Sequence, residues 1–218
     1  MKISIKSCIS GAEQARGVAV IIDVINASST IVKLFEAGVK TVVPVGSIKQ
    51  AKEMKKRTKN SLICAEIRHK IRFVGVDFLN SVKVPKNLKG KTIIIKTNAG
   101  TKGLLGAKKA DRILVGCFLN SGAVVDYIKK LKPKHVSLVP MGNSGKSPAA
   151  EDELCAQYLK KLLHGERPDF AELKKQIIKR SVKNRLRLVL KPKTTSEILK
   201  LNTSKIVPEL VDGRIVVR

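Results

Sequence analysis

Apolar residues cluster in short continuous runs along the 218-residue chain: GVAVIIDV (17–24), KTVVPV (40–45), SLICAE (61–66), KTIIIKT (91–97), RILVG (112–116) and HVSLVP (135–140). Continuous rather than alternating apolar character predicts strands covered on both faces, as in a mostly parallel sheet. The segments between them, SSTIVKLFEAG (28–38), SIKQAKEMKKRTKN (47–60), GTKGLLGAKKA (100–110) and NSGAVVDYIKKLKP (120–133), have helical periodicity and end in Gly, Asn, Ala or Pro. This is βα repetition. It predicts an α/β fold with a mostly parallel or mixed sheet and helices on both faces, a three-layer α/β/α arrangement.

The length and a 43% hydrophobic content suit one domain spanning 1–218. A seam is expected near 165–170, in HGERPDF, before a basic helix and a final hairpin or strand in DGRIVVR. MKISIKSCIS is too broken by Lys2, Lys6 and serines to be a secretory segment, which predicts a soluble, cytoplasmic protein without membrane partners. Cys8, Cys64, Cys117 and Cys155 lie far apart with no C-x-x-C pair, so buried free thiols are expected.

In such sheets ligands bind beyond the carboxyl ends of the strands. Asp23, Glu66, Asn98 with Gly100 and Thr101, Asn120, and the loop MGNSGK each follow a predicted strand, so carboxylates, amides, hydroxyls and glycines are expected on one edge. GNSGKS ends like a phosphate loop, but Pro140 stands where that pattern needs glycine. A generic anion-binding turn and an ordinary loop remain the two readings.

SPAAEDELCAQYL (147–159) places three acids together. On a helix from Pro148 to Leu163, Leu154, Cys155, Tyr158, Leu159, Leu162 and Leu163 form one apolar face. Glu151 falls within that sector, Asp152 near its edge, and Glu153 on the opposite, watery side. Glu153 suits the helix dipole. An inward carboxylate instead needs a cation or hydrogen-bond donors, for which Mg2+, an Arg or a Lys would each serve.

Lys and Arg number 44 against 17 Asp and Glu, a net charge of +27. The field draws anions of any kind. An aromatic content of 3% without Trp, and lysines dispersed at helical spacing, place nucleic acid behind a small anionic ligand.

VIIDVINASSTIV, GVDFLNS, TNAGTKGL, GCFLN, GNSGKSPAAEDELCAQYL and KIVPELVDGRI, in that order, resemble the 2-phosphosulfolactate phosphatase (ComB) family over nearly the whole chain. The resemblance implies a Mg2+-dependent hydrolase that removes phosphate from 2-phospho-3-sulfolactate, a step toward coenzyme M in methanogenic archaea. Matching positions are Asp23, Ala27, Ser28 and Thr30; Glu66; Gly75, Asp77, Asn80 and Ser81; Gly100, Thr101, Leu119 and Asn120; and Glu151, Asp152 and Cys155. The family usually has Arg at the position of Asn26, Gly at Leu79 and Ala65, and Pro at Val82. Without that Arg, Lys146 or Arg68 could grip the anion, the ester could differ, or activity could be weak.

Under this resemblance Glu151, Asp152 and Glu66 are expected to hold Mg2+. Asp23 would orient the attacking water or act as nucleophile, so Asp23, Glu66 and Asp152 form the expected catalytic set. Substrate oxygens would meet Ser28, Thr30, Asn80, Ser81, Asn98, Gly100, Thr101, Asn120 and Lys146. Cys155, inside an apolar face and lacking a Cys-x5-Arg cradle, is expected to be an inert thiol. The alternatives are a basic protein binding RNA, DNA or another polyanion, and a divergent phosphatase acting on another small ester.

Overall fold

A computed structural model describes residues 1–66, 75–183 and 192–218. Arg68 lies outside them. In chain order the elements are β1 (Lys2–Ile5), α1 (Cys8–Glu13), β2 (Val18–Ile22), α2 (Ala27–Glu36), β3 (Thr41–Pro44), α3 (Ile48–Arg57), β4 (Ser61–Ala65) and β5 (Phe78–Leu79). There follow β6 (Thr92–Lys96), α4 (Gly100–Gly106), β7 (Arg112–Gly116), a 3-10 turn (Phe118–Asn120), α5 (Ser121–Leu131) and β8 (His135–Pro140). The chain closes with α6 (Ala150–Leu163), α7 (Phe170–Lys183), α8 (Pro192–Ile198), β9 (Pro208–Val211) and β10 (Arg214–Val217).

All five residues of β2 are buried, as its unbroken aliphatic run demands. The expected α/β architecture is present, with strands in the order β1-β8-β2-β7-β9-β10-β3-β6-β4-β5. β1, β8, β2 and β7 are mutually parallel, as are β3, β6, β4 and β5. The hairpin β9–β10 joins the two groups through antiparallel pairings with β7 and β3. Three successive antiparallel pairings mean that the groups run in opposite directions. The DGRIVVR expectation is met by β10, whose hairpin turn puts Asp212 and Gly213 at φ 49° and 74°, the conformation Asp-Gly favours.

Alternate residues of β2 face different layers. Val18, Val20 and Ile22 pack with Val124 and Ile128 of α5 and Leu154, Tyr158 and Leu159 of α6. Ala19 and Ile21 join Ile31 and Leu34 of α2, Leu104 of α4, and Val42, Ile93 and Ile95 of the other parallel group. Ile63 and Ile94 turn their opposite face to Ala51 of α3. Helices thus cover both faces of the sheet, with α2 and α4 shared by its two parallel groups. Beyond the residue 165–169 link, Phe170 packs its ring 5.2 Å from Phe118 and 5.8 Å from Tyr158. Among the described residues no helix is long and apolar enough to cross a membrane.

Candidate active site

The site begins where β2 ends. Asp23 is 6% exposed, and its carboxylate accepts the Ala27 N–H at 3.2 Å and the Gly100 N–H at 2.8 Å. Gly100 opens α4, which follows β6, five places from β2 in the strand order. Five spacings in a flat sheet would separate the strands by about 24 Å. The 2.8 Å contact therefore requires the sheet to curl, bringing the carboxyl ends of both parallel groups together. Convergence thus corrects the expectation of one common sheet edge. It also explains the glycine: a Cβ at position 100 would stand 2.5 Å from Ala27 Cβ and 2.9 Å from Asp23 Oδ2.

Helix α6 starts at Ala150, two residues later than expected, with Glu151, Asp152 and Glu153 in its first turn. Glu151 and Asp152 are 4% and 3% exposed, as the helical geometry demands. Asp152 accepts the Val24 N–H through Oδ1 and the Gly142 N–H through Oδ2, each at 2.8 Å. It therefore clamps the ends of β2 and β8. Glu153 departs from the expectation of a watery face: it is half-buried and accepts the Ser7 hydroxyl at 2.6 Å, bracing α6 against the start of α1.

Burial pushes the Asp23 carboxyl up to about 7, with further lift from Glu66 and Glu151 and opposition from the Ala27 and Gly100 N–H groups. Asp152 is raised well above the usual range by burial and then by Asp23 and Glu151. Glu151 is raised by burial. Desolvation thus outweighs the donors at each site. Glu66, half-buried after β4, accepts the Asn98 N–H at 2.7 Å, while Asn98 Oδ1 accepts from Lys96 Nζ at 2.7 Å.

The smaller polar residues divide by what they already bond. Ser28 accepts the Asp23 N–H at 2.9 Å and donates to Ile21 O at 3.2 Å. Thr101 and Thr97 exchange hydroxyl and backbone bonds at 3.0 Å, locking the start of α4. Asn120 accepts from Cys117 N and donates to Val115 O and Ile206 O, tying the 3-10 turn to the approach to β9. Ser81 Oγ accepts the Lys83 N–H at 3.3 Å. These side chains shape loops around the carboxylates. By contrast Thr30 Oγ1, Asn26 Oδ1, Asn80 Oδ1 and Glu151 Oε2 are buried without a hydrogen-bond partner. Val82, two residues after Asn80, is buried in the same core cluster as β2 and α6 residues.

Lys146 is exposed at the tip of a tight turn in which Ser144 and Gly145 have φ 57° and 73°. Three of the loop's N–H groups are already taken within the fold. Lys146 N–H closes the turn on Asn143 O, Asn143 N–H bonds Ser147 O, and Gly142 N–H holds Asp152. Gly142, whose N–H holds Asp152, and Thr97, which locks the start of α4, carry bonds that the sequence does not single out. Cys155 is fully buried with its thiol raised well above the usual range, so it is not a poised thiolate.

Among the described residues no three Asp, Glu, His or Cys side chains gather as a ready metal cluster. Mg2+ needs fewer: it keeps several waters and is held by one or two carboxylates with substrate phosphate. The buried Glu151 Oε2, a carboxylate oxygen without a partner, is the kind of hard donor that suits such an ion.

A family model described as 2-phosphosulpholactate phosphatase matches residues 4–211. A "Probable 2-phosphosulfolactate phosphatase" of Carboxydothermus hydrogenoformans is 38% identical over 144 residues, 66% of this chain and 59% of that protein. One of the same name from Pseudothermotoga lettingae is 35% identical over 164 residues, covering 75% of this chain and 70% of its own length. A third, from Caldanaerobacter subterraneus, is 36% identical over 130 residues, 58% of this chain and 54% of its own. The chain thus spans between about half and 70% of the curated relatives it matches, and these relatives are bacterial.

Proposed function

The chain belongs to the 2-phosphosulpholactate phosphatase family, and on that premise we propose that it hydrolyses a small polyanionic phosphate monoester, 2-phospho-3-sulfolactate, with Mg2+. The products are 3-sulfolactate and phosphate, on the way to coenzyme M. The observation that carries the reading is the buried carboxylate pair of Asp23, just after β2, and Asp152, in the first turn of α6, oriented by four backbone N–H groups.

A buried carboxyl near pKa 7 is matched to proton transfer at neutral pH. Asp23 orients the attacking water and takes its proton as the bond to phosphorus forms and the ester P–O bond breaks, and the departing alkoxide then takes that proton to become the product hydroxyl. Glu151 and Asp152 would hold the ion, which when bound would neutralise charge on the phosphate oxygens, while Glu66, engaged by the Asn98 N–H, does not gather with them into a three-carboxylate cluster. Asn26, Thr30 and Asn80 have buried unpartnered oxygens to offer to water. The strongly positive chain would also concentrate a substrate bearing phosphate, sulfonate and carboxylate.

Phosphate release from 2-phospho-3-sulfolactate, followed with added MgCl2 and again with EDTA, tests the reading. Release that depends on Mg2+ is expected. No release above buffer background in Mg2+ would reject it.

A further inference from the structure

Away from the carboxylates, the other end of the same strands carries a different chemistry. The turns leading into β3, β6 and β4 are tied together. Lys40 N–H donates to Lys91 O at 2.9 Å, Gly90 N–H to Gly38 O at 2.8 Å, and Thr92 N–H to Asn60 O at 3.1 Å. A Cβ at Gly38 would lie 3.3 Å from Lys89 Cγ, so Lys89 sits over the turn before β3. Lys40, Lys59, Lys89 and Lys91 therefore share one edge. The first three are exposed, and Lys91 Nζ donates to Asn60 Oδ1 at 3.0 Å, a neutral partner that steadies the ammonium without cancelling its charge.

Residues 37–40, 58–60 and 85–91 contain no Asp or Glu. Glu36 and Asp77, which precede two of these segments, are each held by a lysine, Lys33 at 2.7 Å and Lys55 at 2.6 Å. Glu53 lies more than a turn back on α3. Four of the chain's acids, Asp23, Glu151, Asp152 and Glu209, are buried, so the outer surface is more one-sided than the composition.

We propose that this lysine edge is a second binding surface, one that takes the phosphate backbone of a nucleic-acid duplex without reading its bases. The three segments contain no aromatic residue on which unpaired bases could stack, which favours a duplex over a single strand. The exposed large hydrophobics, Met1, Leu79, Ile178 and Val217, all lie outside them, so the edge has no apolar wedge for a lipid surface. Neighbouring strands hold the ammonium groups in a row about 5 Å apart at the backbone, and contacts of this kind position a protein on a duplex without specifying sequence. The length of β6 separates the edge from Asn98 and Glu66 by about 13 Å, so duplex binding and hydrolysis are separable. The proposal does not depend on the phosphatase reading.

The test is fluorescence anisotropy of the whole chain with a labelled DNA duplex of about 20 base pairs, over roughly 50 to 300 mM KCl. Four neutralised phosphates give a slope of log K against log salt near about −4. Lys40→Gln with Lys89→Gln should bring it to about −2, with thermal midpoint and phosphate release unchanged. Lys160→Gln with Lys161→Gln, on α6, should leave it as it was. Equal losses in the two double variants would assign binding to diffuse charge and overturn the proposal. So would absence of binding at low salt, stronger competition by a single strand of the same length, or displacement of the duplex by anionic phospholipid vesicles.

Discussion

Asp23 Oδ2 accepts the Gly100 N–H at 2.8 Å, although β2 and β6, the strands before them, run in opposite directions five places apart in the sheet. The bond joins the two parallel groups at their carboxyl ends. It also fixes the rotation of a buried carboxylate, since the other oxygen is held by Ala27 on α2. Position 100 therefore has two duties, a close helix approach and a donor aimed at Asp23.

Gly100→Ala tests both duties. The new methyl would meet Ala27 Cβ at 2.5 Å and Asp23 Oδ2 at 2.9 Å, and one of these contacts must open. Overpacking of this kind costs about 1 to 3 kcal/mol. A lower urea midpoint and at least a tenfold drop in kcat are expected, on the order of what a misplaced catalytic group loses. Unchanged kcat with a lowered midpoint would mean that the Asp23–Gly100 bond only holds the fold.

Asp152→Asn keeps the side chain's shape while removing its charge and one acceptor. The amide can satisfy only one of the Val24 and Gly142 N–H groups, leaving the other short of a partner. That loss, about 1 to 3 kcal/mol, is partly offset because a buried charge disappears with it. The variant should unfold cooperatively near the parent midpoint, yet lose about 100-fold or more in Mg2+-dependent kcat/KM. Retained turnover would remove Asp152 from the chemistry.

The raised carboxyls make stability depend on pH in a definite direction. Asp23 is lifted to about 7 from an ordinary 3.8, and Asp152 and Glu151 move the same way. Each holds a proton in the folded chain over a range where the unfolded chain has released it. The stabilisation is fully present below the unfolded carboxyl range and is lost as pH rises through about 7. Metal-free protein should therefore melt higher near about pH 5 than near about pH 8, and Asp23→Asn should remove much of that slope while abolishing phosphate release. Equal slopes in the parent and the variant would show that Asp23 is not the group responsible.

The elements most visible in the sequence were those with continuous apolar runs. β2, β6 and β8 announce themselves because both their faces are covered. β1 did not, since KISI is an edge strand with no fully buried residue, and the two-residue β5 has no pattern to read. β9 hid behind Pro208 and a buried Glu209 that Arg112, Arg218 and the Tyr127 hydroxyl together make tolerable. The inward aim of Glu151 and Asp152 followed from helical geometry alone. What the local pattern could not contain was pairing across the chain: the direction reversal at β9–β10, the bond from Ser7 to Glu153 146 residues away, and the bond from Glu66 to Asn98. Nor does the pattern show the bonds that Ser28, Thr101 and Asn120 already make, to Ile21 O in β2, to Thr97 O and to Ile206 O.

Glu151 separates the proposed ion from simple carboxylate burial. Its Oε2 is buried without a partner, an arrangement that disfavours the charged form unless a cation or donor arrives. A bound ion stabilises the folded chain by mass action, about 2.7 kcal/mol at a hundredfold excess over Kd. Titrating MgCl2 into metal-stripped protein should therefore raise the thermal midpoint in a saturable way. Glu151→Gln preserves the side chain's length but replaces an anionic oxygen with a neutral amide, so the rise should shrink by most of its size while the metal-free midpoint holds or increases. The readout is independent of turnover. If the parent and Glu151→Gln gain equally from Mg2+, the ion binds elsewhere, and the orphaned oxygen of Glu151 serves a ligand or a water instead.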